Sequence, residues 1–172
     1  HTRSVSAFLL NRSSDLKAMR LFDNEQPVLV HNVDIFSSVD LKALYSGHIE
    51  SGADSTLLVA QRSTSRYLYF DTDGMLRGWS NEKTGQVRSP YPDFDKSQFT
   101  PCAFQGIHVL SHTLLPLLDA IPEPRFSITD FYVDNAARLR LRSVLSDPDN
   151  WVDAGKPETL ERASQIIRAY YE

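Results

Sequence analysis

The sequence predicts an α/β fold, a three-layer sandwich in which helices cover both faces of a mixed, mostly parallel sheet. Three features carry that expectation. Val28, Leu29 and Val30 form a continuous apolar run, the pattern of a strand covered on both faces and therefore of a central parallel strand. A helix-period segment and a second aliphatic run follow, giving strand, helix and strand in succession. Farther on, Asp71-Thr-Asp-Gly74 lies between two short strand-like runs, and Asp-Gly supplies the positive φ of a tight hairpin, so part of the sheet is antiparallel.

The elements follow in order. Ser13 to Phe22 carries Leu16, Met19 and Leu21 near helical spacing after a Ser-Ser-Asp start, which suits a short capped helix. After Ser37 and Ser38 comes a helix with Leu41, Leu44, Tyr45 and Ile49 on one face and Gly52 placed to end it. Ser55 to Gln61 is the next strand, and Arg66 to Trp79 holds the hairpin. Ser80 to Ser97 is polar, with Gly85, Pro90 and Pro92, and reads as a long loop.

Thr100 to Leu110 returns as a strand, and Ser111 caps a helix that turns Leu114, Leu115, Leu117 and Leu118 inward. Ser127 to Ala137 is a helix with an acid in its first turn, and Leu139 to Leu145 a half-exposed strand. Trp151 and Val152 form a short strand end. Pro157 opens the last helix, with Leu160, Ala163, Ile166 and Ile167 on its apolar side.

Composition narrows the function classes. The 172 residues suit one domain, 1–172, with a real core. The net charge of -4 offers no field for a polyanion, although Arg138, Arg140 and Arg142 cluster locally, so nucleic acid is not an expected partner. No run is apolar enough to span a membrane. Cys102 stands alone, which rules out an internal disulfide, and the N-terminus shows no signal-peptide pattern; both point to a cytoplasmic protein.

Two acidic residues sit where ligands bind in open α/β sheets. Asn32-Val-Asp34 directly follows the buried strand, and a carboxylate there can hold Mg²⁺ together with substrate phosphates. Asp34 equally suits a cap on the turn before Ser37. Asp153, in Trp151-Val-Asp-Ala-Gly-Lys-Pro157, has the same local setting and the same two readings.

The series Val28-Leu-Val-His-Asn-Val-Asp34, Ala103-Phe-Gln-Gly-Ile-His-Val109, Phe126-Ser-Ile-Thr-Asp130 and Trp151-Val-Asp-Ala-Gly-Lys-Pro157 resembles, in order and spacing, the nucleotidyltransferases that make nucleotide sugars. Nearest are the mannose-1-phosphate guanylyltransferase and N-acetylmuramate-1-phosphate uridylyltransferase groups. The resemblance runs from about Pro27 to the C-terminus. It implies a nucleotide-diphospho-sugar transferase-like fold, Mg²⁺ as cofactor, and transfer between an NTP and a sugar 1-phosphate with release of pyrophosphate. It further implies that Asp34 and Asp153 are catalytic and hold the metal, and that Gly106 lies along the sugar pocket. Glu82 and Lys83, with Asn81 beside them, match the pair that contacts the sugar 1-phosphate; Asn32 and Asp130 complete the substrate-binding set.

The chain departs from the family at several points. The N-terminal Gly-rich loop with Arg and Lys is not in this sequence, Leu9-Leu-Asn-Arg-Ser-Ser-Asp-Leu16 stands where a second Gly-rich segment belongs, Val33 replaces the Gly of Asn-Gly-Asp, and Ser127 replaces an acid. The expectation is a domain truncated at its N-terminus, with little transferase activity alone, and with a homodimer as one way to cover the gap. Two rivals remain: a noncatalytic sugar-phosphate-binding or assembly subunit, and a metal-dependent glycosyltransferase using Asp71-Thr-Asp73 or Asp147-Pro-Asp149, both of which read as turns. His108 and His112 straddle a strand end and a helix start and so lack one helical face for zinc. Trp79 and Trp151 read as core or pocket wall, and Cys102 as a buried hydrophobe.

Overall fold

The structure is a computed structural model, and it describes residues 7–10, 25–122, 126–155 and 159–171. The helix predicted from Ser13 to Phe22, and Lys156 and Pro157, lie outside the described residues. The strands are β1 (Ala7–Leu10), β2 (Val28–Asn32), β3 (Ile35–Ser37), β4 (Ser55–Ala60), β5 (Arg66–Phe70), β6 (Leu76–Asn81), β7 (Gln86–Arg88), β8 (Thr100–Leu110), β9 (Leu141–Leu145) and β10 (Trp151–Asp153). The helices are α1 (Leu41–Ser51), α2 (Leu115–Asp119), α3 (Ile128–Asn135) and α4 (Leu160–Tyr171).

Eight strands form one mixed sheet. β1 runs parallel to β2, and β9 parallel to β4, while β8 lies between β2 and β4 and opposes both. The N-terminal end of β8 carries β5, from which the meander β5, β6, β7 continues. Thus β1, β2, β4, β5, β7 and β9 point one way, and β6 and β8 the other. The predicted mixed sheet holds, with strand directions mostly shared; the ladders are nevertheless largely antiparallel, because β8 is interposed.

Side-chain alternation builds the three layers. In β2, Val28 and Val30 join one core cluster and Leu29 the other; in β4, Leu57 and Val59 oppose Leu58; in β8, Leu110 opposes Ile107 and Val109. The first cluster is closed by Leu115 and Leu118 of α2 and by Phe131, Tyr132 and Val133 of α3; the second is closed by Leu44 of α1. Each such aliphatic side chain contributes roughly 1.5–3 kcal/mol of burial.

Local signals set the helix ends. Asp40, not Ser37 or Ser38, caps α1 by accepting from Ala43 N at 2.9 Å, and Gly52 ends it at φ 60. Ser127 caps α3 as expected, accepting from Asp130 N at 3.2 Å. Ser111 does not cap with its side chain: a 3-10 turn intervenes before α2, and its hydroxyl donates to Ala53 O at 2.8 Å.

Besides β1, two strands were not anticipated. The expected loop from Ser80 to Ser97 contains β7, paired with β6 through a turn in which Gly85 sits at φ 71. The other is β3, discussed below. Among the described residues, no helix is long and apolar enough to cross a membrane.

Candidate functional site

The site is assembled by a ladder of two three-residue strands. β3 pairs antiparallel with β10, setting Trp151 against Ser37, Val152 against Phe36 and Asp153 against Ile35. The ladder continues one step outward, with Ala154 N donating to Asp34 O at 2.8 Å. Val152 is buried beneath it. Asp34 occupies the turn between β2 and β3, and Asp153 ends β10, so residues distant in sequence become neighbours.

Their side chains meet at Gly155. A Cβ built on this glycine would lie 3.1 Å from Asp153 Oδ1 and 3.4 Å from Asp34 Oδ2. Gly155 N also donates to Asp153 Oδ1 at 3.0 Å. Asp34 is exposed and Asp153 half-buried, so the carboxylates remain open to solvent on one side. Among the described residues, no three acidic, His or Cys side chains gather for a metal, and the acidic groups at this rim are the Asp34 and Asp153 pair.

Asn32 and Gly106 adjoin it. Gly106 sits at φ 74, and a Cβ there would lie 2.8 Å from Asn32 Nδ2 and 3.3 Å from Ile35 Cγ1. Only glycine admits both the backbone conformation and the close approach of the Asn32 amide. The same position interrupts the β4–β8 register between Leu57 and Val59, so the strand bends where the rim forms.

Next to Gly106 lies a linked trio that sequence reasoning missed. Trp151 Nε1 donates to Gln105 O at 2.7 Å, Arg62 Nε donates to Gln105 Oε1 at 3.3 Å, and the Arg62 guanidinium lies 4.2 Å over the Trp151 ring. Burial pushes Arg62 down from the ordinary arginine value, and the nearby charges of Asp153 and then Tyr67 act against it. The only signal in the sequence was an arginine just past a strand end, a commonplace surface pattern.

Of two adjoining cavities, the second borders this rim at Asp153. The first, about 510 Å³, has Trp79, Phe104 and Leu68 as apolar wall and Asn81, Thr129 and Asp130 among its polar groups. The second, about 560 Å³, is lined by Arg62, Trp151, Asp153, Thr159 and Arg162 among others. Thr64 lines both, so the two adjoin. In the first, Arg88 bonds Asp130 at 2.5 Å and Asp134 at 2.7 Å. Burial opposes the Arg88 charge, but the bonds to Asp134 and Asp130 outweigh it and hold its pKa above the usual value.

The structure therefore brings Asp34 beside Asp153 and Asn32 beside Gly106, and places Asn81 and Asp130 in the first cavity. Glu82 and Lys83 are exposed and line neither cavity. The Glu82 carboxylate accepts from Ser80 Oγ at 2.5 Å and pairs with Lys96 at 3.1 Å; these bonds, Ser80 first, hold its pKa below the usual range.

The glycosyltransferase candidates are occupied as turn formers. Asp71 accepts from Asp73 N and Met75 N and binds Arg77 at 2.5 Å, with Gly74 at φ 76. Asp147 caps a 3-10 turn, and Asp149 pairs with Arg162 at 2.8 Å. His108 is buried and paired with the Tyr132 hydroxyl at 2.5 Å, while His112 is exposed on the following turn. Cys102 is buried, which pushes its thiol pKa up. Trp79 is core and cavity wall, and Trp151 is cavity wall.

No family model matches the sequence, and no curated protein matches it. Solved structures do. A protein assigned as a glucose-1-phosphate thymidylyltransferase from Bacillus anthracis, in complex with a sucrose, superposes with a TM-score of 0.69 at 16% identity, covering 91% of this chain and 60% of that one. HddC from Yersinia pseudotuberculosis gives 0.62 at 14% identity, covering 97% of this chain and 64% of its own. HddC complexed with GMP-PN gives 0.58 at 14% identity, covering 99% and 64%. The chain thus spans less than two thirds of the length of these neighbours. At such identities the likeness is one of architecture, and it shows that the chain shares the α/β fold of these solved structures.

Proposed function

We propose that the chain forms the metal- and sugar-binding part of a nucleotidyltransferase that joins an NTP to a sugar 1-phosphate and releases pyrophosphate. The observation behind this reading is the meeting of Asp34 and Asp153 at one rim, near Asn32 and Gly106 and beside the second of two adjoining polar cavities. Two carboxylates with open sides fit a hard divalent cation, since Mg²⁺ takes one or two protein carboxylates and fills its other positions with water and phosphate oxygens. Asp34 and Asp153 would hold it, and bound there it supplies charge neutralisation on the substrate phosphates.

The protein's own contribution is positioning. Trp79 and Phe104 offer apolar surface to the carbon face of a sugar ring, while Asn81, Gln86, Thr129 and Asp130 offer partners to its hydroxyls. Arg88 holds Asp130 in place for that role. The shared Thr64 leads from this cavity toward Asp153, so a sugar seated there presents its phosphate to the carboxylate rim. One phosphate oxygen of the sugar forms the new bond to the α-phosphorus of the NTP as the bond to pyrophosphate breaks, with no covalent protein intermediate. Catalysis of this kind rests on alignment and on charge placed where it develops.

Pyrophosphate release from a panel of NTPs and hexose 1-phosphates, with and without Mg²⁺, tests the reading. Slow release is expected from a chain without the Gly-rich loop, depending on Mg²⁺ and falling by about 100-fold or more in Asp34→Asn and Asp153→Asn. Saturable hexose 1-phosphate binding without NTP binding or release would assign the chain to a binding subunit instead, a role the first cavity fits equally well.

A further inference from the structure

We propose that Arg62 seats the phosphate of the phosphorylated sugar, at the junction of the two cavities beside Asp153. This rests on the transferase reading above. It assigns to the segment after β4 the cationic role that family resemblance gives to Lys83, which is exposed and lines neither cavity.

The bonding of Arg62 is the first ground. Its Nε donates to the neutral Gln105 amide at 3.3 Å and one Nη to Ser63 O at 3.4 Å, both long for charged donors. Among the described residues it makes no ion pair, whereas Arg88 is held by Asp130 and Asp134, and Arg162 by Asp149. Arg66, also without an ion pair among the described residues, is exposed and lines the first cavity alone. A half-buried guanidinium that no carboxylate contacts, with Asp153 acting only at a distance, has lost water without gaining a bonded counter-charge, and an anion supplies one.

Orientation is the second ground. The indole of Trp151 is pinned by its bond to Gln105 O and covers one face of the guanidinium. With Nε engaged, the remaining in-plane N–H groups can meet two oxygens of one phosphate. The third ground is Gln105 itself, which is fully buried and has an Nε2 that finds no partner among the described residues. The same amide whose oxygen receives Arg62 thus leaves a donor unanswered beside it. Thr64, two residues on, lines both cavities and adds a hydroxyl along the path.

The arrangement has a built-in reporter, because an anion drawn to Arg62 alters the cation resting on the Trp151 ring. Inorganic phosphate and glucose 1-phosphate are titrated into the protein with Mg²⁺ present, reading tryptophan emission and heat. Saturable binding is expected, weaker by roughly tenfold or more in Arg62→Gln and by less in Arg62→Lys. Trp151→Phe should remove the emission change while heat is still released. Lys42→Gln, an equal charge change on the exposed side of α1, should bind as the parent does. Arg62→Lys guards against misfolding of the glutamine variant, since it keeps the charge and loses the planar fork.

Absence of phosphate binding by the parent protein, or unchanged affinity in both Arg62 variants, overturns the assignment. Mg²⁺-dependent pyrophosphate release that survives Arg62→Gln with an unaltered KM for the sugar phosphate would overturn it while leaving the transferase reading intact. Arg62-dependent phosphate binding in a protein that releases no pyrophosphate would do the reverse.

Discussion

The carboxylates of Asp34 and Asp153 both border Gly155, one 3.4 Å and the other 3.1 Å from where its Cβ would stand. Gly155→Ala sets a methyl against both. If the pair holds Mg²⁺, a metal concentration about ten times Kd raises stability by about 1.4 kcal/mol. Thermal melts should show that shift in the parent protein and its loss in Gly155→Ala, Asp34→Asn and Asp153→Asn. Persistence of the shift in all three would place the metal elsewhere.

Gly106 is confined for two reasons, its φ of 74 and the Asn32 amide at 2.8 Å. Gly106→Ala should destabilise the protein by about 1–3 kcal/mol through the backbone alone. Urea denaturation reads that cost, and the displaced Asn32 adds to it.

Tyr132 is fully buried, and its hydroxyl bonds both Ser55 Oγ at 2.9 Å and His108 Nδ1 at 2.5 Å. Tyr132→Phe takes a partner from each, although Ser55 Oγ still donates to Val109 O. The expected loss is about 1–3 kcal/mol for each that stays unanswered, read from the urea midpoint at constant slope.

Acid should weaken the fold through two histidines. Burial lowers His48 to about 4, with Asp54 acting against it, and lowers His108 to about 3, from an ordinary 6.5. His48 bonds Thr56 Oγ1 and Ser111 Oγ; Tyr132 faces His108. Between the lowered values and 6.5 the unfolded chain binds protons that the folded chain refuses, so stability rises with pH across that window. Melting temperature should therefore be flat above about pH 6.5 and fall steadily toward pH 4. His48→Gln should flatten part of that slope.

The layers were legible because they depend on local patterns. Unbroken apolar runs marked β2 and β4, the Asp-Gly hairpin sits at Asp71 to Gly74, and Ser127 caps α3 by the short-range bond its position implies. The fourfold motif order pointed to the right architecture for the same reason, since each block is a strand or helix end with its own signature. What escaped were features with no local signal. β3 is three residues long and holds only by pairing with β10, and the interposition of β8 between β2 and β4 turns the central ladders antiparallel.

The sequence by itself thus determined the three-layer plan and which acids lie near chain turns, because side-chain period and capping act within a few residues. Tertiary structure alone decided that Asp34 meets Asp153, that Asn32 presses on Gly106, and that Arg62 rests on Trp151 instead of in solvent. Those contacts arise from long-range strand pairing, whose partners no stretch of chain can name until the sheet has closed.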